Sequence, residues 1–192
     1  MTAEANLDPT LATRLMAGDR LAFQHVYQCH GAAMFHYALA LTGNRAAAED
    51  AVQDVFLRVL HANQRFSEIA DLGGYLLKSV RNHCLTRLKK IAREKPLAAA
   101  TAENGLLATR PEDGDSAGGG APETAQRLNR ALAALPAAQR EVVVLKNFNN
   151  LGFREIAQLL DEPLQTIASR HRLALEKLKE MYARDTRGPS HE

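Results

Sequence analysis

One stretch of this chain cannot build a core, and it divides everything else. Between Glu94 and Glu123 lie Pro96, an alanine-rich run, Pro111, the acidic Glu112-Asp113-Gly114-Asp115 and then Ser116-Ala117-Gly118-Gly119-Gly120-Ala121-Pro122. Almost nothing there is large enough to bury, and segments of about 30 residues without structure of their own are uncommon inside a compact domain. The stretch therefore reads as a flexible linker whose root-mean-square span as a Gly-rich coil is roughly 30 Å. With 192 residues in all, the chain is expected to form two small domains, residues 7–93 and 124–185, joined by linker 94–123. Charge follows the same division: 11 basic against 8 acidic side chains in 1–93, 2 against 6 in 94–123, and 11 against 8 in 124–192. Two basic blocks flank an acidic one, and charge acts by patch rather than by sum.

Two cysteines, Cys29 and Cys84, cannot make a disulfide framework, and Met1 to Pro9 has neither the basic start nor the apolar run of a secretory signal. A cytoplasmic protein is the expectation. Leu21 to Asn44 holds no Asp, Glu, Lys or Arg, which raises a membrane span, but Gln24, His25, Gln28, His30 and His36 interrupt it. It reads as a buried helix.

Every periodic segment is helical, with no alternating strand pattern, so the class is all-α. Asp19 can cap a helix running to about Leu41; Gly43-Asn44 breaks it, and Asn44 can cap a second to about Ala62. In the second, Ala48, Val52, Val55, Phe56, Val59 and Leu60 recur at helical spacing and leave Glu49, Asp50, Gln53, Asp54 and Arg58 on the opposite, mostly acidic face. Gln64 to Gly74 reads as a loop. A helix from Tyr75 to about Arg93 is then expected to bury Leu76, Leu77, Val80, Cys84, Leu88 and Ile91.

From Leu72 to Arg93 there is no acidic residue but six basic ones, Lys78, Arg81, Arg87, Lys89, Lys90 and Arg93. Attraction to the helix dipole accounts for the last three only; Lys78 and Arg81 point to phosphate. After the linker, Thr124 to Leu135 and Ala137 to about Asn147 are two helices broken by Pro136. Gly152 to Leu160 is a short helix ended near Asp161-Glu162, and Pro163 opens another to about Ala183. This is a helix-turn-helix pattern: Ala157 suits the close crossing, and Ile156, Leu160, Ile167, Ala174 and Leu178 form the seam. Its second helix would offer Gln165, Thr166, Ser169, Arg170 and Arg172 to bases or phosphates in a major groove.

The order of segments is itself specific. Gly18-Asp19-Arg20-Leu21-Ala22-Phe23 is followed by Tyr37-Ala38-Leu39-Ala40-Leu41-Thr42-Gly43-Asn44 and by Ala48-Glu49-Asp50-Ala51-Val52-Gln53-Asp54-Val55-Phe56-Leu57-Arg58. Then come Gly74-Tyr75-Leu76-Leu77, Val80-Arg81-Asn82, Leu135-Pro136-Ala137-Ala138-Gln139-Arg140-Glu141-Val142 and the helix-turn-helix. Outside the linker and the tails, the chain closely resembles an extracytoplasmic-function (ECF) sigma factor of bacterial RNA polymerase. The resemblance implies a region 2 domain for core polymerase and the promoter −10 element, and a region 4 domain for the −35 element. It places Asp50, Gln53, Asp54 and Leu57 against the clamp helices of the largest catalytic polymerase subunit. It implies −10 strand contacts at Tyr75, Lys78, Arg81 and Asn82, and −35 contacts at Gln165, Thr166, Ser169, Arg170 and Arg172. Promoter DNA and core polymerase are the implied partners, with an anti-sigma factor that in some relatives sits at the membrane. No cofactor, metal or small-molecule substrate is implied, and no catalytic residue.

Departures from the family pattern cluster in the recognition helix, where Gln165-Thr166-Ile167-Ala168-Ser169-Arg170-His171-Arg172-Leu173-Ala174 stands against the usual Gly-Thr-Val-Lys-Ser-Arg-Leu-His-Arg-Ala. A Lys is missing at Ala168, an Arg at Leu173, and a core Leu is replaced by His171. Asp161 replaces the usual turn Gly, a position where Asp tolerates left-handed geometry. Tyr75 stands where the family usually has Trp, and its ring is expected in the core, as is Phe66. His25, Cys29 and His30 share a helix but read as packing rather than as metal ligands, and Cys84 as core. The rival class is a conventional regulator whose helical first half senses a ligand or dimerises while the helix-turn-helix binds a palindromic operator. A protein that only docks to polymerase as an adaptor is a third reading.

Overall fold

The computed structural model describes residues 9–61, 69, 71–94 and 123–186. They form eight helices in two compact units, residues 1–100 and 101–192. The linker residues 95–122, Phe66, most of the Gln64–Gly74 loop and the side chain of Leu60 lie outside the described residues.

In the first unit α1 (Pro9–Met16), α2 (Arg20–Thr42), α3 (Arg45–His61) and α4 (Leu72–Glu94) follow one another. Asp19 caps α2, its carboxylate accepting from the Leu21 N–H at 2.8 Å and taking an ion pair from Arg14 at 2.6 Å. Gly43 ends the helix at φ 65°, a left-handed value that costs glycine little, and Asn44 Oδ1 caps α3 by accepting from the Ala47 N–H at 2.9 Å. These short-range signals set the α2–α3 corner. α2, α3 and α4 then pack against one another, burying Val26, Met34, Tyr37, Leu41, Val52, Val55, Leu76, Val80 and Cys84 almost completely. Each large side chain enclosed there contributes about 1.5–3 kcal/mol.

Two expectations for α4 need correction. The helix starts at Leu72, three residues before the predicted Tyr75, because Asp71 caps it: the Gly74 N–H donates to Asp71 Oδ1 at 3.0 Å and the Tyr75 N–H to the Asp71 carbonyl at 3.1 Å. A Cβ at Gly74 would collide with that carboxylate, so the poor helix former is the residue the cap admits. Ile91 is 38% exposed rather than buried, since Lys89 to Arg93 all face solvent and α4 runs past the packed part of the bundle.

The second unit contains α5 (Glu123–Ala133), α6 (Ala137–Asn147), α7 (Phe153–Leu160) and α8 (Leu164–Thr186). Leu132, Leu135, Val143 and Ala174 form a cluster flanked by Leu128 and Leu178, while Val142, Leu145, Ile156 and Ile167 are fully enclosed. Glu155 reaches back to accept the Gly152 N–H, closing half of a capping box at the start of α7. Asp161 ends α7 at φ 57° and ψ 47°, and the Pro163 carbonyl accepts from the Thr166 N–H at 2.9 Å to start α8. The left-handed Asp161 is the hinge of the motif. Replacing Asp161 with Ala should lower stability by about 1–2 kcal/mol, whereas Asp161→Gly should not, as read from urea midpoints of the two variants; equal losses would show that the backbone angle is not what the residue contributes.

Candidate nucleic-acid interface

The outer face of α3 carries Asp50, Gln53, Asp54 and Leu57, all exposed, with Leu57 at 51% although apolar. Sequence reasoning placed these four together but missed what holds the carboxylates. Arg87 Nη1 of α4 meets Asp50 Oδ2 at 3.1 Å, and His83 Nδ1 lies 3.7 Å from Asp54 Oδ2. His83 Nδ1 is also 2.9 Å from Arg58 Nη2. Burial holds the His83 pKa below its usual 6.5 against the pull of Asp54, so the ring is neutral near pH 7 and its Nδ1 accepts from Arg58. With Arg87 and Asp50 both about half exposed, their pair is worth only about 0–1 kcal/mol. It orients the carboxylate more than it stabilises the fold. An i to i+37 ion pair between α3 and α4 has no local sequence signal, so the run of cations along α4 does not reveal that Arg87 has a carboxylate partner. Nearby, the Tyr27 ring of α2 packs on Phe56 at 5.0 Å with 55% of Tyr27 exposed.

On α4 the buried stripe is Leu72, Leu76, Leu77, Val80, Cys84 and Leu88, which turns Tyr75, Lys78 and Asn82 outward. Arg81 is half-buried between these two faces. Tyr75 was expected in the core; it is 40% exposed instead, because the stripe occupies Leu72 and Leu76 and leaves position 75 off it. Its ring therefore lies on the same outward face as Lys78 and Asn82.

In the second unit α8 crosses α7 on Ile156, Leu160 and Ile167. Gln165, Ser169 and Arg172 are exposed along one line of α8 and Thr166 is half-buried at its edge. Arg170 departs from that set. Its two terminal nitrogens grip both oxygens of Glu162, each at 2.7 Å, with both side chains only 28% exposed, so it ties the turn to α8 rather than facing outward. Arg172 Nη1 pairs with Glu176 Oε1 at 2.8 Å on the surface. Sequence reasoning passed over Arg154, exposed in the first turn of α7, although the first helix of this motif crosses the DNA backbone and a cation there fits phosphate.

His171 packs as expected on the seam, its ring 5.3 Å from that of Phe153 and its Nε2 3.3 Å from Asn147 Oδ1. Burial, with Lys146 nearby, holds its pKa below 6.5. Cys84 is enclosed and its thiol is pushed up to about 11 by burial, which leaves it inert as a nucleophile. Cys29 Sγ sits 3.7 Å from His25 Nε2, whereas His30 packs near Gly73 and Asp71 at the start of α4. Among the described residues no group of three or more His, Cys, Asp or Glu side chains is placed to hold a metal ion.

Comparison with known proteins decides the family. The Sigma-70 region 2 model matches residues 26–94 and the Sigma-70 region 4 model residues 125–178. The ECF RNA polymerase sigma factor RpoE of Cereibacter sphaeroides is 31% identical over 167 residues, covering 84% of this chain and 87% of its own. The chain belongs to the ECF sigma factors of RNA polymerase. The RNA polymerase sigma factor NccH of Alcaligenes xylosoxydans xylosoxydans is 28% identical to it and spans 91% of this chain and 94% of its own. The sigma factor RpoE of Bartonella quintana, solved in complex with the anti-sigma factor NepR, shares the fold at a TM-score of 0.68 and 23% identity, over 84% of this chain and 96% of its own. Among the described residues, no helix of this sigma factor is long and apolar enough to cross a membrane.

The depressed pKa of His171 has a measurable consequence for this sigma factor. The unfolded chain titrates this ring near the ordinary 6.5 while the folded one resists protonation, so its contribution is full above that value and is lost as pH falls from there through the lower value of the folded ring. Across pH 7.5 to 5.0, His171→Leu should therefore lose less thermal stability than the parent. Parallel losses would show that His171 does not titrate differently on folding.

Proposed function

We propose that the chain binds core RNA polymerase through residues 7–93, melts the −10 element with the outer face of α4, and reads the −35 element with α8 in residues 124–185. The linker 94–123 lets the two reach separate promoter elements. Polymerase supplies the chemistry; this chain has no catalytic residue, cofactor or small-molecule substrate of its own. The observation that carries the reading is the opposition of charge on adjacent helices of one unit: carboxylates Asp50 and Asp54 outward on α3, and cations Lys78, Lys89, Lys90 and Arg93 outward on α4, with Tyr75 and Asn82 beside Lys78. One face suits a basic protein partner and the other a nucleic-acid strand.

Asp50, Gln53, Asp54 and Leu57 dock on the clamp helices of the largest polymerase subunit. Tyr75 stacks on, and Lys78, Arg81 and Asn82 hold, the displaced non-template strand, where base stacking is worth about 1–3 kcal/mol and offsets the cost of unstacking. In the second unit Gln165, Thr166 and Ser169 face base edges and Arg172 faces phosphate, while Arg170 acts through Glu162 as a positioning residue. An anti-sigma protein that covers these faces until a stimulus arrives is the further partner, supported by the complex of the Bartonella quintana relative. The site of action is the cytoplasm, with the inactive chain held at the membrane where that partner is anchored there.

Reversing Asp54 to Lys should weaken association with purified core polymerase by at least about tenfold and leave the melting midpoint of the free chain within a few degrees. Replacing Arg172 with Ala should weaken promoter binding by the holoenzyme alike on all sequences and lower the salt slope by about 0.9. Undiminished core binding by Asp54→Lys would refute the docking face, and an unchanged salt slope the phosphate contact. Tight, palindrome-specific duplex binding by the chain alone would favour the conventional regulator.

A further inference from the structure

The recognition helix has lost its cations where it would read bases. On α8, Ile167 and Ala174 are fully buried, so the opposite line of Gln165, Ala168, Ser169, Arg172 and Leu173 faces solvent. Leu173 is 40% exposed with no apolar need to be so. Arg170 is withdrawn, both terminal nitrogens 2.7 Å from Glu162. Arg172 stands in the third turn with its guanidinium held 2.8 Å from Glu176, one turn further along. Besides the exposed Leu164 at its start, the first two turns therefore present an amide, a methyl group and a hydroxyl on this line, and an isobutyl group follows.

Those groups have a defined preference. Guanine is selected mainly by Arg or Lys paired with its O6 and N7; an outward Gln pairs in the same way with N6 and N7 of adenine, and apolar side chains contact the thymine methyl. The N-terminal part of the second helix is the part of this motif that reaches base edges. We infer that the element read by α8 is built of A·T pairs beneath Gln165, Ala168 and Leu173. Gln165 is the residue that selects adenine, and Ala168 and Leu173 lie against thymine methyls. The inference rests on the −35 assignment above and adds the identity of the bases. It also explains the two departures at Ala168 and Leu173 together: each replaces a cation by a side chain that suits a methyl group.

The test is transcription by core polymerase with the full chain on a promoter library whose −35 and −10 segments are both randomised, read by sequencing the transcripts. The expected result is A·T enrichment in the −35 segment, with one position preferring A over G by about tenfold. Gln165→Arg should move that position to G and leave the others in place, and Gln165→Ala should flatten it. Leu173→Arg should shift a different position toward G·C. Core-dependent transcripts with G·C enrichment in the −35 segment, or with a preference that Gln165→Arg leaves unmoved, would overturn the inference while leaving the sigma assignment standing. No core-dependent transcript from any member would overturn the −35 assignment and the inference with it.

Discussion

Burial of the apolar stripes of α2, α3 and α4 against one another is the constraint from which the first unit follows. Once Tyr37 of α2, Val52 and Val55 of α3 and Val80 of α4 are nearly fully enclosed, the remaining faces of α3 and α4 have no freedom about where to point. The carboxylates of α3 go outward, the cations of α4 go outward on another side, and at the seam between the two helices Asp50 pairs with Arg87 while Asp54 stands beside the neutral His83 ring. A weak surface pair of this kind adds little to stability, yet it fixes where a carboxylate stands relative to the helix proposed to hold DNA.

The second unit depends on a local device. Asp161 at φ 57° turns the chain between α7 and α8, and the doubly bonded Arg170–Glu162 pair ties that turn to the body of α8. A planar guanidinium matched to both carboxylate oxygens is a stiff connection. It takes a cation from the surface of α8 that is proposed to face DNA, and leaves that surface correspondingly less basic.

Much of this was legible in the residues because the signals are local. Asp19, Gly43-Asn44, Pro136 and Asp161 are caps and breakers acting within one turn, and the helix boundaries fall close to them. The helix-turn-helix seam at Ile156, Leu160, Ile167 and Ala174 was visible as spacing and is buried. What escaped was either non-local or opposed by propensity. Gly73-Gly74 argues against a helix by roughly 1 kcal/mol per residue, and only the Asp71 cap reverses it. An aromatic ring favours burial, which argues for Tyr75 in the core, but its position one residue off the stripe leaves it 40% exposed. The partners of Asp50 and Asp54 lie on another helix, and nothing in the spacing along α3 names them.

Membership of the sigma family leaves one physical claim at the centre: that this chain opens DNA only as part of polymerase. Permanganate reactivity of thymines on a promoter fragment measures this directly, with the chain alone, core polymerase alone and the two together. The expected result is reactive thymines near −10 in the combined sample only. Reactivity absent from the combined sample, alongside firm duplex binding by the chain alone, would contradict it.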